Sequence, residues 1–166
     1  MSALGYILIA VIIFMFGWRL IGVVDAKTTG VITGAASLLM GAAVVFQGAT
    51  VFGSNTLAPI GALLLLWAIY GALVSVTGFT NTGGRGLALY ALFMALAMIA
   101  FAAWFATHAL VGGVIVTIAV AIPFFLQFIE EIVPVRQLAG VVGFLMLVSG
   151  VLSAAVGLGV YLNILV

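Results

Sequence analysis

Between Lys27 and Arg85 the chain carries no charged side chain, and between Arg85 and Glu130 it again carries none. A water-facing surface cannot be built that way. Soluble domains carry about 25% Asp, Glu, Lys and Arg, whereas 4% of these 166 residues are charged and 67% are hydrophobic. The solvent for most of this surface is therefore lipid. A net charge of +1 gives nucleic acid nothing to grip. Cysteine is absent, which removes disulfides, thiolate metal sites and cysteine nucleophiles together. The first apolar run starts at Met1 with its basic residues behind it, so a retained helix is expected in place of a cleaved signal peptide.

A spanning helix needs about 20 apolar residues. Six such runs are predicted, at about 3–23, 29–52, 57–77, 87–107, 111–132 and 138–163. They are separated by polar or Gly/Pro-containing turns, among them Asp25-Ala26-Lys27, Gly53-Ser54-Asn55, the stretch from Thr80 to Arg85, and Pro134-Val135-Arg136. The expected fold is an all-α membrane protein with a single domain over residues 1–166. Arg19, Lys27, Arg85 and Arg136 all fall on loops 1–2, 3–4 and 5–6, which share one side of a six-helix chain. The bias of basic residues toward cytoplasmic loops then puts both termini outside.

Lys27, Arg85 and Arg136 also mark the inner turns of three hairpins in series, roughly 1–55, 56–109 and 110–166. The returning helix of each carries small residues seven apart: Gly34, Gly41 and Gly48; Ala88, Ala95 and Ala102; Gly143, Gly150 and Gly157. In lipid, packing drives helix association, and small residues let backbones approach closely. These stripes are predicted as helix contacts, within the protein or between copies of it.

Catalytic machinery is nearly absent. The single histidine, His108, lies near an outer helix end, and the three acids map to the opposite side, so no nucleophile–base–orienter set can form. No metal site, cofactor or P-loop is expected: the ligands do not converge, and Asn81-Thr82-Gly83-Gly84-Arg85-Gly86 reads as a turn. Polar residues inside the spans are the better lead, because each costs free energy unless satisfied. They are Gln47, Ser75, Thr117, Gln127 and Ser149. Serine and threonine often bond their own helix backbone. Gln127 and Glu130 lie one turn apart on one helix, either as a polar mouth or with Glu130 paired to Arg136. Pro123 removes a donor and frees the Ala119 carbonyl, which in a pore would accept an amide N–H. Trp18 and Tyr161 fit interfacial belts, and Tyr6, Phe14, Trp67, Tyr70, Phe124 and Phe125 lie deeper.

Three segments resemble the AmiS/UreI family of urea and short-chain amide channels. They are Val24-Asp25-Ala26-Lys27-Thr28-Thr29, Tyr90-Ala91-Leu92-Phe93-Met94-Ala95 and Phe128-Ile129-Glu130, in the family's order and spacing. The resemblance implies three hairpins around a pore in each protomer and a homo-hexamer. It further implies passive movement of urea or small aliphatic amides across the inner (plasma) membrane of a prokaryote, alongside a cytoplasmic urease or amidase. The pore residues it implies are Tyr6, Ile9 and Ile13 on the first helix, Val120 and Phe124 on the fifth, and Ser149 on the last; Tyr70 on the third and Gln127 and Glu130 on the fifth are further candidate pore residues. Acid-gated members carry tryptophans at the positions of Val120 and Phe124, a glutamate at that of Ser149, and a long histidine-bearing outer loop. This chain has none of these, so acid gating is not expected. Two other classes remain open on the sequence: an ion- or proton-coupled transporter, which would need a mid-membrane ionisable group, and a non-transporting subunit of a membrane complex.

Overall fold

The computed structural model describes residues 3–46, 58–80, 85–133, 136–162 and 164. They form six helices: α1 (Ala3–Leu20), α2 (Ala26–Phe46), α3 (Ala58–Thr80), α4 (Arg85–Thr107), α5 (Val111–Ile132) and α6 (Arg136–Tyr161). Each is long and apolar enough to cross a membrane. The chain is a multi-pass, all-helical membrane protein.

At the α1–α2 turn both helix boundaries differ by three residues from the hydropathy expectation, each for a local reason, and α3 runs three residues past its expected end, to Thr80. The apolar run of α1 continues past Leu20, but Gly22 adopts φ 80°. Its N–H bonds the Arg19 carbonyl at 3.0 Å and the Val23 N–H bonds that of Trp18 at 3.0 Å, the paired bonds of a glycine-terminated helix. α2 starts earlier than its apolar run because Asp25 caps it: Oδ1 accepts from the Thr28 N–H at 2.9 Å and Oδ2 from the Thr28 hydroxyl at 2.6 Å. These bonds favour the carboxylate form and hold the Asp25 pKa below its ordinary value. The α4–α5 turn is made without glycine. Ala109 takes φ 55°, and the Leu110 N–H reaches back to the Phe105 carbonyl at 3.0 Å.

The helices follow one another round a ring in chain order, and α6 closes it against α1. The closest couples are α1–α6, α2–α3 and α4–α5. The hairpins α1–α2 and α3–α4 pack less extensively, because the small residues face the other neighbours. A Cβ at Gly143 would lie 2.7 Å from Ile21 Cγ2 and 3.0 Å from the Gly17 carbonyl, and one at Gly17 would lie 2.8 Å from the Gly143 carbonyl. Gly150 and Gly157 continue this seam, against Phe14 and against Tyr6 and Ala3. Between α2 and α3, Gly34 meets Ser75, Gly71 meets Ser37, and Gly78 meets the Ala26 carbonyl. Thr33 and Ser37 are buried there with their hydroxyls bonded to the Thr29 and Thr33 carbonyls, each at 2.8 Å. In the third couple, Ala88, Ala95 and Ala102 are buried and Gly113 rests on the Phe105 ring.

Gly41 departs from the expected stripe: nothing lies within 4 Å of a Cβ there, so it closes no contact inside the chain. Gly48 lies outside the described residues. Gly143→Leu should therefore destabilise the protein by about 2 kcal/mol or more, the range of overpacked cores, whereas Gly41→Leu should stay within about 0.5 kcal/mol. Thermal unfolding of the two variants in mild detergent checks this contrast. Equal loss in both would remove the α1–α6 seam from the account.

Candidate functional site

All seven charged residues fall at one end of the bundle. Arg19 closes α1, Asp25 and Lys27 open α2, Arg85 opens α4, Glu130 and Glu131 close α5, and Arg136 opens α6. From that end a stripe on α1 runs inward at helical spacing: Arg19, Phe16, Ile13, Ile9 and Tyr6. The last four are buried in the core.

The sequence-named residues Tyr6, Ile9, Ile13, Tyr70, Val120, Phe124, Gln127 and Ser149 are all buried between the helices, and Glu130 is half-buried at the charged end. α1, α3 and α5 thus bring one set of side chains together. Tyr70 is its hub. Its ring lies 4.7 Å from Phe124, 5.8 Å from Trp67 and 6.1 Å from Phe16, each edge-on, and stacks at 6.4 Å on Tyr90. Trp67 and Phe124 complete the triangle at 5.3 Å. Tyr90 is held by its hydroxyl, which donates to the Leu66 carbonyl at 2.9 Å. Phe125, grouped with the deep aromatics by sequence, is 49% exposed and faces away from this knot.

Gln127 sits beside the rings and is 1% exposed. The Tyr70 hydroxyl donates to its Oε1 at 3.0 Å, while its Nε2 is buried with no hydrogen-bond partner among the described residues. Turning the amide over does not remove the problem, since one hydroxyl reaches only one of the two amide atoms. An unmet buried donor costs about 1–3 kcal/mol, so its presence calls for a reason.

The Ser149 hydroxyl on α6 lies 2.7 Å from the Ala119 carbonyl and 2.8 Å from the Leu145 carbonyl. The carbonyl that Pro123 frees on α5 is therefore within hydrogen-bond reach of α6. Thr117 bonds its own helix, at 2.7 Å to the Gly113 carbonyl. Gln127 and Glu130 divide as well, the first facing the core and the second the bundle end. Gln47, the loop at Gly53–Thr56 and the Arg136 side chain, to which Glu130 was matched, lie outside the described residues.

Sequence reasoning treated Arg19 only as a topology marker. Its Nη1 is 3.5 Å from the Thr77 hydroxyl on α3, and its guanidinium is 5.8 Å from the Phe16 ring centroid. No acid pairs with it among the described residues. The spacing of three from Phe16 was the available signal.

His108 is exposed at the opposite end. Its Nδ1 lies 2.8 Å from the Trp104 carbonyl, and its ring stacks on Trp104 at 4.3 Å. It belongs to the end of α4 and touches none of the core residues named above. No group of three or more His, Asp or Glu side chains converges among the described residues.

Comparison with protein-family models, with curated proteins and with solved structures returns no match.

Proposed function

We propose that this protein is a passive channel for small neutral amides, urea and short-chain aliphatic amides among them, with one path through each six-helix bundle. The observation that carries the reading is the Tyr70–Gln127 pair. With the hydroxyl donating to Oε1, the pair offers the amide N–H as a donor and the phenol oxygen as an acceptor, side by side. A primary amide or urea presents the complement along one edge, a carbonyl beside an N–H. A solute there would replace lost water with two hydrogen bonds, and the aromatic rings would cover its faces. Bare ions gain no such compensation and meet a desolvation penalty of several kcal/mol. The path is a narrow one that ring motion admits, since Trp67, Tyr70 and Phe124 are in contact.

Arg19 adds a second barrier against cations. A unit charge about 8 Å away at an effective dielectric of about 40 repels a cation by about 1 kcal/mol. Arg19→Gln should raise potassium leak about fivefold relative to acetamide flux measured on the same vesicles, and an unchanged ratio would take Arg19 out of the path. The family resemblance supports the same reading and adds the hexamer, the outward termini, the prokaryotic inner membrane and a cytoplasmic urease or amidase as parts of the proposal. Stopped-flow uptake in proteoliposomes tests it. Acetamide and urea should enter down their gradients without an ion gradient and without ion leak. Uptake that requires a proton or sodium gradient, or no uptake above protein-free vesicles, would refute the channel.

A further inference from the structure

The groove between α4 and α5 holds two cavities on the outward face of the bundle, away from the Tyr70–Gln127 core. The first, of about 300 Å³, lies at the charged end between Arg85 and Glu131, with Ala88, Leu89, Phe128 and Ile132 as its apolar walls. The second, of about 400 Å³, is lined by apolar side chains only, including Ala95, Leu96, Phe125 and Leu126. Ala88 to Ala95 and Leu89 to Leu96 are each two helical turns, so the cavities succeed one another along one groove about 10 Å apart. Leu89, Leu96, Phe125 and Ile132 are each 49% exposed or more in the single chain.

The two charges are placed against the helix dipoles. A cation opens α4 and an acid closes α5, where the opposite signs are favoured. Neither pairs with another side chain among the described residues. This arrangement matches a ligand that brings both charges itself. A phosphate at the start of α4 meets the Arg85 guanidinium at the positive end of the helix dipole. An ammonium at the end of α5 meets the Glu131 carboxylate and terminal carbonyls. The apolar cavity beyond accepts a hydrocarbon chain.

We infer that the α4–α5 groove is a specific site for a phospholipid with a primary ammonium headgroup, of the phosphatidylethanolamine type, with its phosphate on Arg85, its ammonium on Glu131 and an acyl chain running past Ala95 and Phe125. A trimethylated headgroup has no N–H to give Glu131, and an anionic glycerol headgroup has no cation for it. The site is independent of what the core conducts.

Native mass spectrometry of the protein, released from bilayers of equal phosphatidylethanolamine, phosphatidylcholine and phosphatidylglycerol, tests it. One phosphatidylethanolamine per chain should be retained about tenfold over either competitor, the scale of one charge-assisted hydrogen bond. Glu131→Gln should erase that preference, and Arg85→Gln should reduce retention of all three lipids. Leu89→Trp, at a cavity wall that is 64% exposed, fills the headgroup cavity without touching a charge and should reduce retention as well. Equal retention of the three lipids by the unmodified chain, or retention unchanged in the variants, would overturn the inference. So would a lipid-free oligomer that Leu89→Trp dissociates, which would make the groove an interface between copies.

Discussion

Gln127→Leu should lower acetamide and urea flux about tenfold, with water permeation through the same protein changed less than about twofold. Gln127 offers the only buried side-chain donor without a partner among the described residues. A hydrogen bond made to the solute at its narrowest passage is worth about 0.5–1.5 kcal/mol net, and losing it while keeping the desolvation cost raises the barrier by the upper part of that range. Leucine fills nearly the same space, so the rings stay packed. It also strands the Tyr70 hydroxyl, which a second variant addresses: Tyr70→Phe with Gln127→Leu removes both partners and restores a satisfied apolar core. The double variant should remain folded and should conduct amides no better than Gln127→Leu alone. Acetamide flux equal to that of the unmodified protein, in stopped-flow traces normalised to protein content, would mean that the unpaired amide is not on the solute path.

Phe124→Ala should do the reverse to size selection. The Phe124 ring is 2% exposed and touches both Trp67 and Tyr70, so its removal opens the tightest contact of the knot. Butyramide, which the unmodified protein should exclude, should then permeate about tenfold faster, because the cost of parting packed rings disappears. The variant also forfeits about 3–5 kcal/mol of core stability, and its flux is best read at low temperature with folded protein quantified. A permeation series from formamide through acetamide to butyramide that keeps the original cut-off would remove Phe124 from the constriction.

The number of helices and their extents were legible because a lipid solvent leaves so little room for alternatives. α5 was expected at 111–132 and is found there. α1 and α2 were misjudged at the turn joining them because hydropathy is blind to the signals that set their ends. A single left-handed glycine stops α1 at an apolar stretch, and one carboxylate starts α2 before its own apolar run. The hairpin pattern rests on the spacing of Lys27, Arg85 and Arg136, whereas the tight couples follow which neighbour the small residues face. Gly143, Gly150 and Gly157 make one continuous seam with α1, and Gly41 makes none. Chain order cannot reveal that difference, because it depends on which neighbour a glycine faces.

The core set was legible in part. The family resemblance implied Tyr6, Ile9, Ile13, Val120 and Phe124, and helical spacing puts Tyr6, Ile9 and Ile13 on one face of α1 and Phe124 and Gln127 one turn apart on α5. What one sequence cannot carry is the pairing between distant helices. The bond from Tyr70 to Gln127 joins α3 to α5, and the bond from Ser149 to the Ala119 carbonyl joins α6 to α5. The second gives the carbonyl that Pro123 frees a partner on another helix, which chain position alone does not reveal. Arg19 was overlooked because a cation near a helix end is ordinarily a topology signal, and only packing against Phe16 and Thr77 brings it toward the core.

The proposed path for small neutral solutes runs through the core between α1, α3 and α5. The chain contains no cysteine, so a thiol introduced at one position is the sole reactive group. Ile9→Cys and Val120→Cys place it in the proposed path at positions that are each 1% exposed, and Thr33→Cys places it in the α2–α3 contact at a position that is 0% exposed. In membrane vesicles treated with methyl methanethiosulfonate, a small neutral reagent, the thiols at positions 9 and 120 should be modified, saturating acetamide should slow the reaction, and position 33 should stay unreactive. Thiols at 9 and 120 as inert as the one at 33, in protein that remains folded, would contradict the proposed path.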